Sequence, residues 1–320
     1  MHKKYLLSVV IPSYNAEKTI ERALESIKVD RFDGLIEVII VNDGSFDGTK
    51  QRCERFVKKS TDERIVYTIV NQKNAGHGSA INYGVEFAKG KYMRVLDADD
   101  YFDAREFDEY LLFLSKCETD LVISDYKEVC EKDGKEKRYY WHRAKKGFLS
   151  KKYDEIISKT MPTLLPCAAI KTELLRREGS VVDEKCYYDD QEYDYLIIAF
   201  CDSVSYYAKP VYCYMVGSEA QSVSNAGLIN NISDHQRVLE WLVKHYYGAS
   251  LAKHKKEYYF DTVLMPLCHH QYHIAVELKK SRADFLKFDR FLKKYPELYY
   301  HTGVAGKRLA FHRLTKGVFI

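Results

Sequence analysis

Apolar residues in the first hundred positions come in short runs that alternate with amphipathic stretches. Tyr5–Ile11 (YLLSVVI) is an apolar run closed by Pro12, as suits a buried strand. Ala16–Ile27 then spaces Ile20, Ala23, Leu24 and Ile27 at helical intervals. The same alternation continues with a strand at Ile36–Val41, a helix at Thr49–Lys58 and a strand at Arg64–Val70. A helix at Ser79–Ala88 and a strand at Tyr92–Leu96 complete it. Strands separated by helices predict a parallel sheet with covering helices, the α/β class. Ligands in such sheets bind beyond the carboxyl ends of the strands. The polar residues cluster there: Tyr14-Asn15, Asp43, Asn74-Ala75-Gly76 and Asp97–Asp100.

The pattern is less regular afterwards. Phe107–Ser115 reads as a helix and Asp120–Ser124 as a strand, and the charged stretch Glu128–Lys146 as an exposed hairpin or loop. Leu165–Glu178 and Gln191–Phe200 read as helices, and the Tyr-rich Val204–Val216 as a strand. From Ile232 the pattern is helical, over 232–247, 255–280 and 283–294. The expected division is a first half at 1–100, a second half of the same domain at 101–225, and a helical C-terminal region at 226–320.

Composition adds little to the class and something to the surface. The chain has 320 residues, 46% hydrophobic and 30% charged, which is globular and not disordered. The opening MHKKYLLSVVIPSYN has an apolar run broken by Ser8 and Pro12 and no small-residue cleavage site, so it is read as a strand and not a leader. No apolar stretch is long enough for a membrane span. The eight cysteines contain no C-x-x-C pair and are expected to be buried thiols in a cytoplasmic protein. Residues 241–320 carry fifteen Lys/Arg against six Asp/Glu, although the whole chain is only +4. With the closing GKRLAFHRLTKGVFI, this basic part suits either peripheral contact with an anionic membrane surface or a terminal helix docked on the protein.

Three acidic groups carry the candidate chemistry. Asp97-Ala98-Asp99-Asp100 follows an apolar strand, and three carboxylates so close repel unless a cation or strong donors neutralise them. Hard oxygen ligands suit magnesium or manganese bridging to a pyrophosphate, though a solvated turn with capping aspartates remains open. Asp43, before Gly44-Ser45, is either an acceptor for a base or ribose or a turn residue. In Asp189-Asp190-Gln191-Glu192 like charges and burial can create a general base, but acids in the first turn of a helix also favour its dipole. No G-x-x-x-x-G-K-[ST] and no G-x-G-x-x-G follows the first strand, which argues against an ATPase and a dinucleotide-dependent dehydrogenase. His269, His270 and His273 include an i,i+4 pair without an evident third ligand, and no metal site is expected there.

The combined pattern resembles family 2 of the glycosyltransferases, with the GT-A fold. The carriers are SVVIPSYNAEKTIERALESI, VIIVNDGSFDGT, NAGHGSAINYGVEFAKGKYMRVLDADD, DEKCYYDDQEYDYLI and YCYMVGSEAQSVS, in that order over residues 5–225. The resemblance implies an inverting, metal-dependent transfer from a nucleotide-sugar, with UDP as nucleotide, to a hydroxyl of a glycan or lipid-linked acceptor in bacterial polysaccharide synthesis. It implies no nucleic-acid partner. Pro12, Tyr14 and Glu17 are implied to face the nucleotide, Asp43 to bind the base, Asp97 to lie at ribose and diphosphate, Asp99 to hold manganese or magnesium, and Asp190 to be the base. Asn42, Ile81, Cys167 and Asp189 depart from the usual residues, and Lys73 or His77 are candidates for the contact an Arg commonly makes at position 81. A nucleotidyltransferase and a non-catalytic sugar-nucleotide binder are the competing readings. SYNAEKT lacks the Lys/Arg-bearing Gly-rich loop of the first, and joint retention of Asp99 and Asp190 disfavours the second.

Overall fold

Seven consecutive residues of the first strand, Leu7–Ser13, are buried, which is what a strand covered on both faces requires. The structure is a computed structural model and describes residues 4–140, 147–152, 165–177, 182–217, 224–304, 309 and 313–314. It divides into two compact units, 1–217 and 218–320.

The first unit begins with β1 (Tyr5–Ser13), α1 (Ile20–Glu25), β2 (Leu35–Asp43), α2 (Thr49–Lys59), β3 (Ile65–Gln72), α3 (His77–Phe87) and β4 (Tyr92–Val95). These four strands pair in parallel in the order β3-β2-β1-β4. The expected alternation is therefore present, with helix and strand ends shifted by a few residues. Beyond β4 follow β5 (Tyr101–Phe102), α4 (Ala104–Leu114), β6 (Leu121–Cys130), β7 (Glu136–Tyr139), β8 (Phe148–Lys152), β9 (Ala168–Lys171), α5 (Thr172–Arg177), α6 (Asp190–Phe200) and β10 (Ser203–Val216). They extend one mixed sheet of ten strands, in which β6 and β10 run parallel while β9 lies antiparallel between β4 and β6.

One expectation fails here. Leu165–Glu178 is not a single helix: a turn at 165–167 leads into β9, and only α5 is helical. Ala168, Ala169 and Ile170 are buried between β4 and β6, so the open slot in the sheet overrides their local preference. The stretch from Glu128 does contain a hairpin, β7 pairing antiparallel with β6, while residues 141–146 lie outside the described residues.

The second unit is helical: α7 (Asn225–Asn230), α8 (Ile232–Gly248), α9 (Lys253–Tyr259), α10 (Met265–His273), α11 (Arg282–Leu292) and α12 (Pro296–Val304). π-helical turns at Phe260–Leu264 and Ile274–Leu278 flank α10 and keep the expected 255–280 stretch helical through Pro266. Within it Tyr246 stacks on Tyr259, and Tyr247 on Tyr295. Most of the basic closing segment lies outside the described residues. Arg313 within it donates to Asp289, Tyr272, Thr302 and the Tyr299 carbonyl, all in this unit. No helix among the described residues is long and apolar enough to cross a membrane.

Candidate active site

The parallel strands β1, β2 and β4 end on one side of the sheet, which delivers Tyr14-Asn15, Asp43 and Asp97 to the same edge. The loops after β1 and β2 bind each other through short polar side chains. Asn15 donates its backbone N–H to Ser45 Oγ (3.0 Å) and accepts from the Phe46 N–H (3.1 Å). Ala16 N–H donates to Thr49 Oγ1 (2.8 Å), Glu17 N–H to Asp47 Oδ2 (3.1 Å), and Gly48 N–H to Glu17 Oε2 (3.0 Å).

This lacing separates the three residues expected at the nucleotide. Tyr14 is half exposed, edge-on to Phe46 with ring centroids 6.1 Å apart. Pro12 is buried in β1 opposite Val41. The Glu17 carboxylate braces Gly48 and lies 3.7 Å from the Arg52 guanidinium. Phe46 is 83% exposed, and the only hint of it in the sequence is an apolar residue inside a polar turn.

Asp43 is buried at the floor of this edge. One carboxylate oxygen accepts from Gln72 Nε2 and Ala75 N–H, the other from Gly76 N–H, each at 2.8 Å. Asp43 thus fixes the turn that opens α3, and a base contact would share those oxygens. Ile81 is buried within α3, and Lys73 is exposed on the preceding loop.

The acidic loop after β4 is differently built. Asp100 is buried and accepts from Tyr212 Oη and Met215 N–H, both at 2.7 Å. Burial, then the charges of Asp97 and Asp99, raise its pKa well above the carboxylate range. Asp99 points outward, yet the surrounding protein and then Asp97 raise its pKa too. The backbone carbonyl of Asp99 accepts from Arg22, a contact with no signal in the sequence.

Asp189 and Asp190 stand at the start of α6. Asp189 is buried and bonded to His77 Nδ1 (2.8 Å). Asp190 accepts from the neighbouring Gln191 amide (3.0 Å). Burial first, then the Asp189 charge, push Asp190 up to about 6. The four carboxylates of Asp97, Asp99, Asp100 and Asp190 act on one phenol: burial and then their charges push Tyr214 up to about 12.

His77 Nε2 lies 3.0 Å from Asp97 Oδ1, so this ring bridges Asp97 and Asp189. Burial works against its charged form but is outweighed by the two carboxylates, Asp189 foremost, and its pKa stands well above the ordinary histidine value. An acidic loop in which Asp99 and Asp100 both have raised pKa values is short of positive charge and offers hard oxygen ligands. That chemistry fits magnesium or manganese, which binds through one or two carboxylates and completes its shell with water and phosphate oxygens. Among the described residues no three His, Cys, Asp or Glu side chains converge into a metal cage, the His269–His273 group included.

The same architecture occurs in solved structures. S. aureus TarS 1–349 in complex with UDP superposes with a TM-score of 0.69 at 17% identity, covering 98% of this chain and 88% of that one. Its complex with UDP-GlcNAc gives 0.64 at 19% identity over 92% and 89%. At this identity the likeness establishes the GT-A fold. In sequence, the putative glycosyltransferase EpsH of Bacillus subtilis (strain 168) is 29% identical over 216 residues, 66% of this chain and 60% of EpsH. Glycosyltransferase GlyA of Streptococcus pneumoniae serotype 4 is 29% identical over 150 residues, 47% of this chain and 20% of GlyA. The chain therefore spans only part of the length of these relatives. The family profile of glycosyl transferase family 2 matches residues 8–180, more than half of the chain, and the chain belongs to that family.

Proposed function

We propose that this protein is an inverting glycosyltransferase that moves a sugar from a UDP-sugar to an acceptor hydroxyl, with Asp190 as general base. The observation that carries the reading is Asp190 itself, a carboxylate at the start of α6 raised to about 6 first by burial and then by the charge of Asp189, whose partner His77 also bonds Asp97. A base poised near the working pH combines a large deprotonated fraction with useful proton affinity. Asp189, its neighbour, is already bonded to His77 and so is the poorer candidate.

In the proposed step Asp190 accepts the proton of the acceptor hydroxyl as its oxygen attacks the anomeric carbon. The bond from that carbon to the diphosphate oxygen breaks, and the nucleoside diphosphate leaves with the electron pair. Asp99 would hold a divalent cation, with Asp97 towards ribose and diphosphate. When bound, the cation supplies positive charge to the departing diphosphate. The Tyr14 ring is exposed at the edge where a nucleobase would stack, and Pro12 and Glu17 would support that loop from behind. UDP is the nucleotide in the TarS complexes, whose fold this chain shares.

The acceptor class proposed is a glycan or lipid-linked glycan of bacterial surface polysaccharide synthesis. The basic 241–320 region would favour work at an anionic membrane face from the cytoplasmic side. Calorimetry with UDP, GDP and CDP, each with manganese and with chelator, tests the donor reading. UDP with manganese should bind tightest, and tighter GDP binding or indifference to chelator would overturn it.

A further inference from the structure

His77 is held from two sides by residues far apart in sequence: Asp97 lies 20 positions later and Asp189 112 positions later. Each ring nitrogen faces a carboxylate oxygen, and one imidazole spans the two acidic side chains. The bridge sits in a close backbone seam between the start of α3 and the segment leading to α6. Lys185 N–H donates to the Ala75 carbonyl (2.7 Å), and Asn82 makes two 3.0 Å bonds to the backbone of Val182. A Cβ on Gly78 would stand 2.3 Å from the Asp183 carbonyl. One on Gly76, whose φ is +91°, would stand 2.8 Å from Lys185 N. Only glycine lets the two segments meet, and Asp43 anchors the near side through Ala75 and Gly76.

We propose, resting on the assignment of Asp190 as base, that His77 is a positioning residue: by tying Asp189 to Asp97 it sets the base against the donor site. His77 does this through Asp189, whose backbone carries directly into Asp190. Two consequences distinguish this from a merely structural role. Its loss should fall on turnover and not on nucleotide affinity. It should also be non-additive with loss of Asp189, because both break one tie.

The test uses the full chain with His77→Phe, His77→Gln, Asp189→Ala, Asp190→Asn and the double variant His77→Phe/Asp189→Ala. Turnover is read as UDP release from UDP-sugars at saturating donor with manganese, UDP–manganese affinity by calorimetry, and folding by thermal unfolding. Displacement of a catalytic group by about 1 Å costs on the order of 100-fold, so His77→Phe should lose about that much turnover while UDP affinity changes little. His77→Gln, which keeps one N–H donor set, supplies the comparison if the Phe variant unfolds, and should show the same split to a smaller degree. The double variant should be no slower than the worse single one. His77 variants with near-normal turnover, a loss confined to UDP affinity, or single losses that multiply would each overturn the proposal. If Asp190→Asn turns over normally, the base assignment itself fails and the positioning role falls with it. A lost Asp190→Asn with an active His77→Phe removes only the positioning role.

Discussion

The two polar regions at the strand ends are built on opposite principles. Between residues 14 and 49 the donors and acceptors of two loops satisfy one another, Asn15 with Ser45 and Phe46, Thr49 with Ala16, Glu17 with Gly48. Around Asp97–Asp100 and Asp189–Asp190 carboxylates are crowded together, and Asp99, Asp100 and Asp190 all have raised pKa values. The first region is complete without a ligand and makes a frame. The second holds like charges, and His77 lies between two of them, Asp97 and Asp189. Loss of a carboxylate in the second region should therefore fall on activity, and loss of a bond in the frame on stability.

The largest effect is expected from Asp190→Asn, which keeps size and hydrogen bonding but cannot take a proton. Transfer at saturating donor should fall by about 10²–10⁴, with UDP affinity close to the unmodified protein. Asp189→Asn, still able to accept from His77, should lose far less, and a reversed order would place the base one residue earlier. Asp99→Asn comes next and should lower both turnover and manganese-dependent UDP binding, whereas intact binding would remove it from the metal site. Tyr212→Phe takes a donor from buried Asp100 and should cost about 1–3 kcal/mol in denaturant unfolding. The smallest effect is expected in the frame. Thr49→Val removes the acceptor of the Ala16 N–H and should cost about 1 kcal/mol of stability with turnover nearly unchanged. Loss of turnover there without loss of stability would erase the contrast between the regions.

The division also explains what the sequence makes legible. The strands β1, β2, β3 and β4 are apolar runs closed by polar residues, so their existence, and which polar residues stand at their ends, can be read directly. Asp97, Asp99 and Asp190 stand in motifs whose order carries the family. By contrast β9 is hidden in AAIKTELLRR, rich in helix formers, because only the gap between β4 and β6 makes it a strand. His77 is equally silent. As a residue at the start of a helix it looked at most like a substitute nucleotide contact, and its meaning depends on two partners that folding alone brings to it. Glu17 and Asp43 belong to the same class, since their bonds to Gly48, Ala75 and Gly76 are tertiary.

The central claim is that a carboxylate raised to about 6, Asp190, takes the acceptor's proton. The direct measurement is the pH dependence of transfer kcat/KM from pH 5 to 8, for the unmodified protein and Asp190→Asn. Because the base works deprotonated, the rate should rise with pH through a limb near 6 and level above it, and this limb should be missing from the residual rate of Asp190→Asn. A flat profile in the unmodified protein, or the same limb surviving in Asp190→Asn, would contradict the assignment.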